Sequence, residues 1–342
     1  MNTTMELTTL LPHDLVTVGQ VANGYAAKSS FGRYQERKAD NTLRSQRAAL
    51  ALFGDFLTQA GVATGGHDLA DDPHSWRGVT WGLVDAFVLW LINKGYSMGT
   101  VNGRLSAVKT YAKLAAKADA LSPSELTMIR GVEGYSRTEG KRVDDRREVC
   151  RVGDKKAEAV FLTPQQVKRL KKQPNTPQGR RDALIVAILA DHGLRVGELA
   201  GLQVTDVNIE AGTLTFYRPK VDRIQTHELT HDAKRALAAY FDHGDAPAMG
   251  ALLRASTTTG GVQLTHAGMS ERSITERVRY LGACIGVDGL SAHDLRHTWA
   301  TLAARSGTPI DRLRDAGGWS SLAMPLRYIE TAKIANEGVR LE

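Results

Sequence analysis

Apolar residues recur at helical spacing through most of this chain, and this feature restricts the possible folds more than any other. The first clear stripe covers residues 43–57. Trp81–Asn93 and Ser97–Lys117 show the same periodicity, and Ser122–Glu125 has the pattern of a capping box with proline at the first helical position. The first third of the chain is therefore predicted to be all-helical.

A residue pattern typical of β-strands occurs in one region of the sequence. Thr213–Phe216 and Arg223–Leu229 flank a turn at Pro219–Asp222, which predicts a β-hairpin with Lys220 near its tip. Further helices are predicted at 182–192, 232–241, 270–285, 291–306, 308–316 and 326–338. The predicted fold class is mostly α with a small β-hairpin or sheet, in two domains, the second of them α+β.

The domain organisation follows from length and from a break in periodicity. A chain of 342 residues exceeds the usual size of one domain. Between 132 and 160, glycines punctuate alternating basic and acidic residues, as in a linker. The prediction is a flexible lead-in at 1–25, a helical domain at 26–131, a linker at 132–160 and a second domain at 161–342, which begins near a capping box at Thr163–Gln166.

Composition excludes several classes of protein. Hydrophobic residues make up 42% of the chain, which is enough for a folded core and excludes a disordered chain. The net charge of +7 favours a polyanionic partner such as nucleic acid without establishing one. Cys150 and Cys284 have no spacing typical of a disulfide scaffold or a zinc module. The sequence has no apolar run long enough to span a membrane, so a soluble, cytoplasmic protein is expected.

Two pairs of residues at i, i+3 spacing carry candidate chemistry. Arg195 follows a strongly apolar helix, where a guanidinium needs an anionic partner to offset its loss of hydration. Glu198 is the ordinary structural partner, because such pairs are common on helices. His293 and Arg296 share one face of a helix capped by Ser291, and a solvated polar face would explain them equally. Each pair alone leaves a purely structural explanation open.

The C-terminal stretch adds a third element. Gly317 and Gly318 end one helix, Trp319 follows, and Tyr328 lies on the last helix. By default, Tyr328 would be interpreted as a core tyrosine. Lys220 would be interpreted as a solvated side chain. The order of all these motifs along the chain is more specific than any one of them.

In this joint pattern the chain resembles the tyrosine recombinase, or phage integrase, family over roughly residues 40–335. The segment LRVGELAGL around Arg195 is similar to the first arginine box of the family, and SAHDLRHTWAT around His293 is similar to the second. Most members have histidine at the position of Trp319, and AGGW at 316–319 is similar to Cre-like members. Tryptophan cannot relay a proton, so it would donate a hydrogen bond to a phosphate oxygen and pack beside Tyr328.

The resemblance implies a catalytic set made of Arg195, Lys220, His293, Arg296, Trp319 and the nucleophile Tyr328, supported by Glu198. Planar guanidinium groups match the oxygens of a phosphodiester under attack, and nearby cations would favour the phenolate of Tyr328. Lys220 is the expected general acid for the leaving 5′ oxygen, with His293 as a supporting donor or base. Glu198 is expected to orient Arg195 or His293.

Two helices are expected to contact DNA. The candidate contacts are Arg104, Lys109 and Lys113 on the first helix and Arg272, Arg277 and Arg279 on the second. Their spacing favours one basic face on each helix, and a solvated face is the open alternative. The resemblance implies that 26–131 is a SAM-like core-binding domain and that the two domains close around duplex DNA as a clamp.

The resemblance implies a site-specific recombinase that cleaves and rejoins DNA through a 3′-phosphotyrosine intermediate and a Holliday junction. It implies four protomers on two sites with short inverted repeats, and no metal, ATP or other cofactor. The sequence has neither a Walker motif nor a tight carboxylate cluster for two-metal catalysis. A type IB topoisomerase-like nicking-closing enzyme and a catalytically silent DNA-binding regulator are the alternatives. The segment Ile329–Glu342 is expected to dock into a neighbouring protomer.

Overall fold

The computed structural model describes residues 15–62, 66–152, 159–257 and 263–332. The chain divides into two compact units, Met1–Lys155 and Lys156–Glu342, and each has its own hydrophobic core. In the ranges given above, no helix is long and apolar enough to cross a membrane. The predicted mostly helical fold class is confirmed.

The described part of the first unit is all helical. Its helices are α1 (Leu15–Lys28), α2 (Ser30–Glu36), α3 (Asp40–Gln59), α4 (Gly66–Asp71), α5 (Trp81–Asn93), α6 (Met98–Lys117), α7 (Pro123–Gly131) and α8 (Arg137–Asp144). The core contains a cluster of aromatic rings in which Phe53 contacts both Trp76 and Phe87. The predicted lead-in at 1–25 is already helical from Leu15, and residues 1–14 lie outside the described ranges.

The structure differs from the predicted linker at 132–160, because α8 lies within that range and packs with the first unit. Asn102 donates to the carbonyl of Tyr135 at 2.7 Å and accepts from its N–H at 2.9 Å. Arg147 donates to a carbonyl near the end of α5 at 2.9 Å. Hydrogen bonds between side chains and backbone fix this segment in place. Its sequence therefore has little of the apolar periodicity by which folded elements are predicted. Residues 153–158 of the predicted linker lie outside the described ranges.

The second unit is built around one long buried helix, α10 (Pro177–His192). The described helices of this unit are α9 (Pro164–Lys171), α10, α11 (Val196–Ala200), α12 (His231–Asp242), α13 (Glu271–Cys284), α14 (Ala292–Arg305), α15 (Ile310–Gly317) and α16 (Ala323–Ala332). Thr176 caps α10 and Pro177 opens it, and most of its residues from 184 to 190 are fully buried. Helices α9, α11, α12, α13 and α14 all contact it. The site described below is built on the ends of these elements.

A small antiparallel sheet flanks the helices. Its strands are β1 (Val207–Asn208), β2 (Thr213–Arg218) and β3 (Arg223–Glu228), in the order β1-β2-β3, and a second pair is β4 (Arg254–Ser256) with β5 (Leu264–Gly268). The predicted hairpin is confirmed, because β2 pairs with β3 from Thr213 opposite Glu228 to Arg218 opposite Arg223. The exposed Lys220 lies in the turn between these strands.

Candidate active site

Arg195 and Glu198 lie where the chain turns from α10 into α11. Gly193 ends α10 with a φ of +61°, a conformation that favours glycine. The Glu198 carboxylate accepts from Arg195 Nη1 at 2.6 Å, and it also accepts from Arg218 Nη1 at 2.8 Å. Its side chain is 3% exposed, whereas that of Arg195 is 23% exposed. One buried carboxylate therefore orients two guanidinium groups, and one of the two reaches solvent.

The last turn of α15, together with Gly318 directly after it, accepts hydrogen bonds from side chains at four consecutive carbonyls. From residue 315 to residue 318 the donors are Gln225 Nε2 (2.7 Å), Arg218 Nη2 (2.8 Å), Arg296 Nη2 (2.6 Å) and Arg195 Nη2 (3.5 Å). Gly318 ends the helix with a φ of +58°. Cations at a helix C-terminus are favourable because they oppose its negative dipole end. The same turn brings both candidate phosphate-binding arginines close to Trp319.

Arg296 lies on α14 and is almost fully buried, at 3% exposure. It donates to the carbonyls of Gly193 and Gly317, and its guanidinium carbon lies 4.7 Å from the centroid of the Trp319 ring. Burial, with two other arginines nearby, lowers the pKa of Arg296 to about 10. The group therefore remains protonated at neutral pH.

Tyr328 lies on α16 and is 6% exposed. Its ring centroid is 5.6 Å from that of Trp319 and 5.4 Å from that of His297. Burial raises the pKa of Tyr328 above its usual value, although three nearby arginines act in the opposite direction. The predicted cations are present, but burial outweighs them in the free protein. The phenol is therefore protonated at neutral pH, and its use as a nucleophile requires a proton acceptor.

His293 lies on α14 one turn before His297, and their ring centroids are 4.4 Å apart. Loss of hydration, followed by the effects of His297 and Arg296, lowers the pKa of His293. The charge of Lys220 acts in the same direction, so the hairpin lysine lies within electrostatic reach of this imidazole. His293 is therefore neutral at pH 7 and available as a proton acceptor.

Residues 160–334, slightly more than half of the chain, match the phage integrase family. The chain belongs to the phage integrase family. This membership confirms the predicted relation to tyrosine recombinases and the predicted enzyme class. Among its relatives is tyrosine recombinase XerC of Roseiflexus sp. (strain RS-1), 25% identical over 296 residues, which are 85% of this chain and 83% of the relative. Tyrosine recombinase XerD of Neisseria meningitidis serogroup A / serotype 4A (strain DSM 15465 / Z2491) is 26% identical over 183 residues, 53% of this chain and 61% of the relative.

Solved structures of similar fold include two integrases bound to DNA. A lambda integrase dimer bound to a COC′ core site has a TM-score of 0.57 at 14% identity, over 99% of this chain and 85% of that one. The Tn1549 transposon integrase with a circular intermediate DNA has a TM-score of 0.56 at 15% identity, over 82% of this chain and 94% of that one. At such identities the likeness shows the fold alone, and it agrees with the fold class predicted from the sequence.

The candidate DNA contacts on α6 have different surroundings. Arg104 donates to the carbonyl of Ser45 at 2.9 Å, and Lys109 donates to the carbonyl of Arg130 at 2.9 Å. Lys113 is exposed. The spacing predicted one basic face made of all three cations. In the structure two of the three bind backbone carbonyls within the helical unit, and the third is exposed.

The candidate contacts on α13 also differ in exposure, because one of the three arginines is bound within the unit and two are exposed. Arg277 pairs at 2.5 Å with the fully buried Asp182, and its guanidinium carbon lies 4.6 Å from the centroid of the Tyr280 ring. Arg272 is exposed and pairs with Glu276 at 2.8 Å, and Arg279 is exposed. Arg277 thus stabilises the second unit, while the other two arginines lie on its surface.

Sequence reasoning missed two side chains in this cluster. Arg218 is completely buried on β2, two residues before Lys220, and it is not among the site residues predicted from the sequence. The strand period of two places it on the buried face of β2 with Leu214 and Phe216, and a charge on an apolar strand face signals a buried partner. His297 follows His293 by four residues, a spacing that puts both on one helix face.

A pair of histidines beneath the site predicts a loss of stability in acid. Burial lowers the pKa of His192 to about 4 and that of His227 to about 3, and their ring centroids are 5.7 Å apart. In the unfolded chain both protonate near pH 6.5. The unfolded state then binds more protons, so the free energy of unfolding falls as the pH drops. We expect a loss of about 2 kcal/mol per histidine between pH 7 and pH 5.

Urea denaturation at a series of pH values measures this loss. The variant His227→Gln keeps a polar side chain at this position but does not titrate, so its stability is expected to fall less steeply with pH. The exposed His243 lies outside this pair, and His243→Gln is the matched control for replacing a histidine by glutamine. Equal slopes for His227→Gln and the wild type would contradict the prediction.

Proposed function

We propose that the chain is a site-specific DNA recombinase that cleaves and rejoins strands through a 3′-phosphotyrosine intermediate. The observation that carries the proposal is the cluster of Arg195, Arg296 and Trp319 around one turn, with Tyr328 packed against the Trp319 ring. Two guanidinium groups and an indole N–H are the donors that a phosphodiester under attack requires. The phenol beside them is the nucleophile.

In the cleavage step, the Tyr328 oxygen attacks the phosphorus atom and forms a 3′-phosphotyrosine, while the bond from phosphorus to the 5′ oxygen breaks. The phenol proton passes to a neutral imidazole, for which His293 is the candidate. Lys220 gives a proton to the leaving 5′ oxygen, so that a 5′-hydroxyl is released. Arg195 and Arg296 bind the non-bridging oxygens, whose negative charge increases in the transition state.

Rejoining reverses these steps. A 5′-hydroxyl from another strand attacks the phosphotyrosine, its proton returns to the Lys220 amine, and Tyr328 leaves as a phenol. The energy of the phosphodiester is kept in the covalent intermediate, so the cycle requires no ATP or metal. Two successive exchanges between paired sites pass through a Holliday junction.

The proposal includes the assembly that the resemblance implies. Four protomers would act on two duplex sites with short inverted repeats, and the helical unit and the catalytic unit would clamp each site. Exposed cations such as Lys113 and Arg279 are candidates for phosphate contacts, which would make DNA affinity fall steeply with salt. Such an enzyme would work in the cytoplasm on nucleoid or plasmid DNA.

The experiment that tests the proposal traps and maps the covalent intermediate. The protein is incubated with nicked duplexes whose sequence is taken from DNA flanking its gene. After cleavage, the short fragment between the cleavage site and the nick, which carries the new 5′-hydroxyl, diffuses away. We expect an adduct that survives SDS, and a tryptic digest in which the nucleotide-bearing peptide contains Tyr328. Mapping to another residue, or no adduct on any duplex, would overturn the proposal.

The same preparation distinguishes the two alternatives. Relaxation of supercoiled plasmid without a defined target, together with an adduct on random duplexes, would favour a type IB topoisomerase-like enzyme. Sequence-specific binding without any adduct would favour a DNA-binding regulator. Exchange between two plasmid-borne copies of one site is the expected result for a recombinase.

A further inference from the structure

A buried arginine connects the two sides of the candidate active site. The Arg218 side chain is 0% exposed, and its guanidinium donates to the Glu198 carboxylate at 2.8 Å, to the Ala316 carbonyl at 2.8 Å and to Gln225 Oε1. Its guanidinium carbon lies 4.7 Å from the centroid of the Phe216 ring. The group is therefore fixed in position by contacts on every edge and on one face.

We propose that Arg218 is a positioning residue for strand cleavage. Through Glu198 it fixes the guanidinium of Arg195, and through the Ala316 carbonyl it fixes the turn that presents Trp319. It does not touch the scissile phosphate. The inference rests on the proposed recombinase function and assigns a role to a residue outside the catalytic set.

The cost of burying this charge supports a functional role. A buried ion pair is often no more stabilising than an apolar side chain of similar volume, and the Phe216 ring would accept an apolar neighbour. Glu198 already has a partner in Arg195, so Arg218 is not needed to neutralise it. The second guanidinium instead binds Oε2 of Glu198, whereas Arg195 Nη1 binds Oε1, so both carboxylate oxygens are held.

The backbone of the turn fits around this guanidinium. Gly318 has a φ of +58°, and a Cβ atom at this position would lie 2.7 Å from Arg218 Nε. Gln225 accepts from that Nε and donates to the Asp315 carbonyl at 2.7 Å, so it extends the same network by one residue. A displacement of Arg218 would therefore shift Trp319 and Arg195 together. Misplacement of catalytic groups by about 1 Å can cost about 10² in rate.

Arg218 also lies two residues before Lys220, so an effect on the general acid is a competing explanation. A substrate with sulfur in place of the bridging 5′ oxygen separates the two. A thiolate leaves without a proton, so loss of a general acid is compensated by this substrate. Loss of phosphate positioning is not compensated, because the non-bridging oxygens are unchanged.

The experiment compares Arg218→Lys and Arg218→Met with wild type in single-turnover cleavage at saturating protein. Lysine keeps the charge but lacks the planar fork that places one N–H group on each of the three acceptors around Arg218, and methionine keeps the approximate length. We expect both variants to cleave about 10² more slowly, with unchanged affinity for the duplex. The loss should be equal on the oxygen and sulfur substrates, whereas Lys220→Ala should recover on sulfur.

Arg235→Lys is the matched control, because Arg235 is an exposed arginine paired with Asp232 on α12. Gln225→Met tests the same network without removing the buried charge, and it is expected to slow cleavage with the same pattern. This second variant decides the question if the Arg218 variants do not fold.

Three results would overturn the proposal or its basis. Folded Arg218 or Gln225 variants that cleave at the wild-type rate would exclude a positioning role. Recovery of the Arg218 variants on the sulfur substrate would assign the effect to Lys220. Absence of any adduct from the wild type would instead reject the proposed function, before any variant is compared.

Discussion

Replacing Tyr328 by phenylalanine is expected to abolish the covalent DNA adduct and to leave the affinity for duplex DNA unchanged. The ring of Tyr328 packs between those of Trp319 and His297, and phenylalanine keeps these contacts. Only the hydroxyl oxygen, the proposed nucleophile, is lost. DNA affinity depends mainly on cations that bind phosphates, and the phenol is not one of them.

The measurement is SDS-stable adduct formation on a nicked duplex, together with an electrophoretic binding assay. Tyr280→Phe is the matched control, since Tyr280 is exposed on α13 and keeps its ring beside Arg277 in this variant. An adduct from Tyr328→Phe would show that another residue is the nucleophile. Loss of the adduct from Tyr280→Phe would show that the assay reports general damage.

Replacing Arg296 by lysine is expected to lower the single-turnover cleavage rate by about 10³. Lysine keeps a positive charge near the Trp319 ring but cannot offer two parallel N–H groups to a phosphate. Arg296 is almost fully buried and bonds to the carbonyls of Gly193 and Gly317, so we also expect some loss of stability. Cleavage is therefore measured well below the melting temperature of the variant.

Arg305 offers a control on the same helix. It is exposed near the end of α14, and its guanidinium carbon lies 5.0 Å from the centroid of the Phe161 ring. Arg305→Lys is expected to cleave at the wild-type rate. If Arg296→Lys also cleaves at that rate when folded, Arg296 does not bind the transition state.

Local sequence signals predicted the elements that carry the site. The helix at Trp81–Asn93 has the bounds predicted for it, because an apolar stripe lies between a threonine cap and a glycine. The hairpin and the helix after Ser291 were predicted from turn and cap residues in the same way. The joint order of motifs predicted the family. These features could be found because each depends on neighbours in the sequence.

Long-range polar partners were not predictable from spacing. The capping box expected at Ser122–Glu125 is only half formed, because the Glu125 carboxylate accepts from the N–H of Trp81, 44 residues earlier. The contacts of Arg218 depend on bonds between distant parts of the chain in the same way. Helix α8 differs, because a complete capping box of Ser136 and Glu139 begins it, and this local signal lies inside the segment predicted as a linker. Residues 333–342 of the segment Ile329–Glu342, which is expected to dock into a neighbouring protomer, lie outside the described ranges.

The buried Asp182 sets a limit on protein engineering. It accepts from Arg181 at 2.8 Å and from Arg277 at 2.5 Å, so α13 is joined to α10 through a charge that has no access to water. A library that randomises every arginine of α13 to change the preferred target would lose folded members whenever Arg277 is replaced. Varying Arg272 and Arg279 while keeping Arg277 confines the diversity to positions that the fold tolerates.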